Sequence, residues 1–161
     1  TLSPSGVLSK ANSQLFPDIR EDMFISLAYI VLEADNPEIQ LARAGHDPPL
    51  HYRAAEKTVM PVQSPGIAIG IDAGNVFNKA MCDHTLKLSR GDILLLYTDG
   101  VNEAADQRGD EFGLERLNAT LVNAAPNGAT AVIESIRNAV EHFAGNVAQN
   151  DDITLVAIEK C

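Results

Sequence analysis

The chain has 161 residues, of which 45% are hydrophobic, 21% charged and 5% aromatic, with no Trp. That length suits one domain burying roughly 68–70% of its unfolded surface, and the balance argues against wholesale disorder. Lys and Arg number 12 against 22 Asp and Glu, a formal charge of −10. With no basic stripe to reverse that field, nucleic acid is disfavoured as a partner. Cys82 and Cys161 cannot make a disulfide framework, which fits a reducing compartment. The opening Thr1-Leu2-Ser3-Pro4 has neither the basic nor the apolar region of a signal peptide, and no apolar run reaches the ~20 residues of a membrane span. A cytoplasmic location with no membrane partner is the expectation.

Ser3-Pro4 predicts an N-cap followed by Pro at the first helical position, and Val7, Leu8, Ala11 and Leu15 carry the helical repeat to Phe16-Pro17. Met23 to Leu32 is apolar almost throughout and reads as a strand buried on both faces. Asp35-Asn36-Pro37 predicts a turn into a strand over Ile39 to Ala44. Leu50 to Arg53 and Thr58 to Val62 read as a hairpin, and Gly66 to Ile71 as a structural connection lacking the Lys of a phosphate loop. Thr85 to Leu88 alternates as a half-exposed strand. Arg90-Gly91-Asp92 turns the chain into Ile93 to Thr98, the most apolar strand. Leu114, Leu117 and Leu121 mark one helix; Val132, Ile133, Ile136, Val140 and Phe143 mark a second. Ile153 to Ile158 closes the chain as a strand. Strands this close in sequence leave no room for helical crossovers, so the sheets are expected to be antiparallel and the class α+β.

Three places carry possible chemistry. Asp99 directly follows the apolar strand, so its carboxylate emerges at the strand's end, with Gly100 letting the chain turn. Asn150-Asp151-Asp152 directly precedes the closing strand, and adjacent carboxylates that repel one another are made favourable by a bound cation. If the two strands are neighbours, these carboxylates converge at one rim, where hard oxygen ligands suit Mg²⁺ or Mn²⁺. His46, in Ala44-Gly45-His46-Asp47-Pro48-Pro49, is a candidate ligand, acid/base group or phosphate contact. Each has an ordinary alternative: a turn, a polar loop and a solvated histidine.

In order along the chain, these pieces resemble the metal-dependent protein phosphatase superfamily (PPM, type 2C), in its bacterial SpoIIE/RsbU-type branch. The matching stretches are 23–27, Ala44 to Leu50, Gly66 to Ile71, Gly91 to Ala104, Phe112 to Leu117 and Asn150 to Val156. The resemblance implies an antiparallel two-sheet β-sandwich flanked by helices. It also implies a serine/threonine phosphatase working through a two-metal site of Mn²⁺ or Mg²⁺. It places Asp99 and Asp151 as metal-ligating residues acting through metal-bound water, Asp152 as a neighbouring ligand, and His46 beside the substrate. Family membership suggests a phosphorylated anti-sigma factor antagonist as substrate and a sensory or receiver domain upstream. The family's first strands carry a further metal-bridging aspartate in an Asp-x-x-Gly-x-Gly setting, and no such motif occurs here. Residues 1–161 are therefore expected to be the C-terminal portion of the domain, N-terminally incomplete, with an open sheet edge that a homodimer would cover. Weak metal binding and little activity of the isolated chain are the expectation. The competing reading is a degenerate domain that serves as a regulatory protein-binding adaptor.

Overall fold

The computed structural model describes residues 3–33, 36 and 38–161. In chain order the first half holds helix α1 (Pro4–Leu15), strands β1 (Leu27–Val31), β2 (Glu38–Ala44), β3 (Leu50–Arg53) and β4 (Thr58–Pro61), and helix α2 (Asn75–Ala80). The second half holds β5 (His84–Lys87), β6 (Ile93–Tyr97), α3 (Asp99–Asn102), α4 (Gly113–Ala124), α5 (Ala129–Ala144) and β7 (Leu155–Glu159). These elements form two compact units, residues 1–48 with 63–88, and residues 49–62 with 89–161. The class is α+β, with two sheets whose ladders are all antiparallel and helices alongside. Among the described residues no helix is long and apolar enough to cross a membrane.

The first unit carries the sheet β1-β2-β5. The Ser3 hydroxyl accepts the Gly6 amide and Pro4 opens α1, as the cap pattern predicts. Leu8 of that helix is fully buried with Ala42, Ala44, Ile69 and Phe77. Asn12, on the same helix, is also fully buried; it donates to the Asp72 carbonyl (2.8 Å) and accepts the Gly70 amide (3.0 Å). Asp72 in turn accepts the amides of Gly74, Val76 and Phe77, a cap that starts α2. Those backbone bonds, Phe77 first, hold its carboxyl below the usual range, against some desolvation.

Three expectations need correction or restriction here. The stretch Met23 to Leu32 is not a strand buried on both faces: β1 covers only Leu27–Val31, and Met23, Phe24 and Leu32 are more than half exposed. Among the described residues β1 is an edge strand paired with β2, and apolar composition alone reports neither an open edge nor an uncovered face. Beyond the connection Gly66 to Ile71 lies α2, which the sequence reading does not include and which is too short to show a helical repeat. Of the predicted turn, Asp35 and Pro37 lie outside the described residues, while Asn36 accepts the Glu38 amide.

The second unit carries the sheet β4-β3-β6-β7. Alternate residues Leu50 and Tyr52 of β3 and Ile93, Leu95 and Tyr97 of β6 join Leu117 and Leu121 of α4 and Val132, Ile136 and Val140 of α5 in one apolar core. The period of two in the strands thus meets the period of 3.6 in the helices. Leu114, counted in the helical repeat, lies off that face and is exposed. Phe112 and Phe143 meet edge to face at 5.6 Å, and the Arg116 guanidinium lies 4.7 Å from the Phe143 ring.

Candidate functional site

β6 runs antiparallel to β7, with Tyr97 opposite Leu155. The end of one strand therefore lies beside the start of the other, and the loop holding Asp151 and Asp152 abuts the residue after β6. Thr98 joins the two segments. Its amide donates to the Thr154 carbonyl (3.1 Å), its Oγ1 donates to the Asp152 carbonyl (2.7 Å), and the same Oγ1 accepts the Thr154 amide (2.9 Å). Gly100 is needed for a different reason from the one its sequence context suggests. Its φ is not in the left-handed region, and Asp99 begins a short helix rather than a sharp turn. A Cβ at Gly100 would lie 2.7 Å from the Asp152 carbonyl oxygen and 3.0 Å from that of Asp151. The close approach of two backbones excludes a side chain there.

Asp99, Asp151 and Asp152 are all exposed. Asp99 accepts the Gly100 amide (3.0 Å) and Asp151 the Asp152 amide (2.7 Å), each through Oδ1. No donor among the described residues approaches the second oxygen of either carboxylate. Gln149 fixes the loop from the other side, its Nε2 donating to the Asp151 carbonyl (2.6 Å). His46 belongs to the first unit. It is half-buried, its Nδ1 lies 3.1 Å from the Asp47 carbonyl, and the Arg43 guanidinium donates to the His46 carbonyl. The loop is further shaped by Gly45, at φ +72°, whose missing Cβ would press on Ala68.

The donor chemistry of Asp99 and Asp151 fits a hard divalent cation in kind, as two carboxylates on touching loops. It does not fit in number. Such ions take about six oxygens, and among the described residues no group of three or more His, Cys, Asp or Glu side chains could hold one.

One buried polar pair has no signal in the sequence. His51 on β3 and Asp92 before β6 are both buried, with Nε2 and Oδ2 3.1 Å apart. Asp92 also accepts the amides of Ala54 (2.8 Å) and Ser89 (3.0 Å). Burial pushes its carboxyl up, and these bonds together with His51 more than offset that, leaving it below the usual carboxylate range. The partners are far apart in sequence, so no local motif announces them. Thr98 was legible only as part of a matching stretch; a hydroxyl residue between a buried strand and an Asp-Gly pair was the available signal.

A two-sheet α+β fold with a pair of acidic loops on one rim defines a type 2C phosphatase-like domain. Residues 1–160 match the family model of stage II sporulation protein E (SpoIIE), and the chain belongs to that family. It is 26% identical over 161 residues to the phosphoserine phosphatase RsbU of Bacillus subtilis, covering 99% of this chain and 46% of RsbU. Among solved structures it is similar to the SiaA-PP2C domain of Pseudomonas aeruginosa (TM-score 0.78, 19% identity, 98% of this chain and 61% of that one). It is also similar to the phosphatase domain of SpoIIE from Bacillus subtilis presoaked in Mn (TM-score 0.64, 16% identity, 96% and 65%). The chain thus spans about half the length of RsbU.

Proposed function

We propose that this chain is the phosphatase module of a bacterial signalling protein, hydrolysing phosphoserine or phosphothreonine on a phosphorylated anti-sigma factor antagonist. Residues 1–161 act within a SpoIIE/RsbU-type domain that is coupled to an upstream sensory or receiver domain. The observation that carries the reading is the junction of Asp99 and Asp151 on hydrogen-bonded loops, in a chain belonging to this family. Asp99 and Asp151 each contribute a carboxylate to a Mn²⁺ or Mg²⁺ site, Asp152 lies next to them, and His46 serves the substrate. Asp99 and Asp151 would hold such a cation together with ligands from outside the described residues, and a bound divalent ion would supply charge neutralisation and a more acidic water. The chain's own part is to hold two hard oxygen donors at one point, and the described residues do not complete that set.

That shortfall favours one second reading, a regulatory adaptor that binds a partner without turnover. Phosphate release from a phosphoserine peptide by the chain, with Mn²⁺ and with chelator, is the test. The Asp99→Asn variant should lose whatever Mn²⁺-dependent release the chain has, by about 100-fold or more, while its circular dichroism is unchanged. Retained Mn²⁺-dependent release in that variant would overturn the assignment of Asp99. Partner capture that survives Asp99→Asn, with no release by either protein and none by the full-length protein, would establish the adaptor.

A further inference from the structure

The second unit contains a cavity of about 420 Å³, bounded by the 103–111 connection, the end of α5 and the segment leading to Asp151. This lies within the roughly 300–1,000 Å³ of ordinary ligand pockets. Its more buried wall is apolar, with Val140, Val147 and Ile153. Its exposed wall is lined by the acidic residues Glu103, Glu111 and Asp151. Among the described residues none of these three carboxylates has a cation within ion-pair distance; a fourth, Glu141, has only the exposed Arg137 at 3.7 Å.

Two observations define the occupant. Glu103 and Glu111, apart from Asp151 at the acidic junction, belong to no group of three or more side chains that could hold a metal ion among the described residues, so a cation that reaches both is large and has its charge spread out. The apolar wall requires that the same group carry a hydrocarbon stem. Arginine meets both conditions: its planar guanidinium reaches several carboxylates at once, while its methylenes cover the valines and isoleucine. Asp151 lines this cavity and also belongs to the acidic junction, so an arginine seated here would adjoin a phosphorylated residue held at that junction. We propose that this cavity is a recognition subsite for an arginine flanking the phosphoserine or phosphothreonine of the substrate protein. This rests on the phosphatase reading for the identity of the substrate, and on the cavity alone for the preference.

The test is fluorescence anisotropy of labelled phosphoserine peptides with the 161-residue chain. A single arginine is moved from one flank to the other, and each peptide is paired with a twin carrying citrulline, a neutral isostere. At least one arginine peptide should bind about tenfold more tightly than its twin. In the Glu103→Gln/Glu111→Gln variant the preference should fall to within about twofold, and in Glu111→Lys it should reverse. Equal binding of every pair, or a preference that persists in both variants, overturns the subsite. The readout needs no turnover, so the two readings fail separately. An arginine preference with no phosphate release even by the full-length protein keeps the subsite and removes the phosphatase, whereas release without any preference does the opposite.

Discussion

The Thr98 hydroxyl is the only side-chain atom among the described residues that hydrogen-bonds across the acidic junction, donating to Asp152 and accepting from Thr154. Thr98→Val keeps the shape and removes both bonds, handing an exposed carbonyl and an exposed amide to water. The expected cost is about 0.5–1.5 kcal/mol, read by urea denaturation, with the amide resonances of Asp151, Asp152 and Thr154 shifting most. Thr98→Ser should recover most of both, and a serine variant as impaired as the valine one would show that the methyl matters instead. Gly100 is a stricter constraint, because the atoms that a Cβ would strike are backbone carbonyls. Gly100→Ala is expected to displace the 151–152 loop and cost about 1–3 kcal/mol. An alanine variant with unchanged stability and unchanged Asp152 resonances would show that the loop yields freely. The sequence marked Asp99 and Asp151 through their place at strand ends, but it could not show that Gly100 serves a close approach rather than a turn. That distinction depends on residues some fifty positions away.

β3 and β6 are joined by their ladder and also by the buried His51–Asp92 contact. The sign of its pH dependence follows from the direction of the Asp92 shift. A carboxyl held below its unfolded value of about 3.9 contributes stability that is fully present above that pH. The contribution is lost as the pH falls through the lower folded value. Asp92→Asn should therefore cost about 1–3 kcal/mol at neutral pH and make the chain's stability less steep in acid, measured by urea denaturation across that range. An unchanged acid slope would assign the acid loss to other carboxylates. Elements of this kind divide by how local their signals are. The strands β6 and β7 and the helices α4 and α5 were legible because apolar runs and repeats announce them, whereas the pairing of β6 with β7 was only a condition until the ladder showed it. β1 was misjudged because an apolar edge strand reads like a buried one, and α2 and α3 are too short to show a period.

A chain with a formal charge of −10 binds divalent cations in two ways, through diffuse attraction to its surface and through any site at the acidic junction. Thermal unfolding separates them. With only part of a ligand set, a dissociation constant of about 1 mM is expected, and about 1 mM Mn²⁺ then adds RT ln 2, about 0.4 kcal/mol. For a chain of this size that raises the melting temperature by about 1 °C. Asp99→Asn/Asp151→Asn should remove that increment and leave only the diffuse part, which NaCl screens and which Mg²⁺ and Mn²⁺ supply about equally. A Mn²⁺ shift of about 5–10 °C that the double variant abolishes would correspond to a constant near 10 μM. The junction would then complete its ligand set within the chain, against the ligand count among the described residues. A shift identical in the two proteins would place the cation elsewhere on the surface and leave Asp99 and Asp151 without a metal to hold.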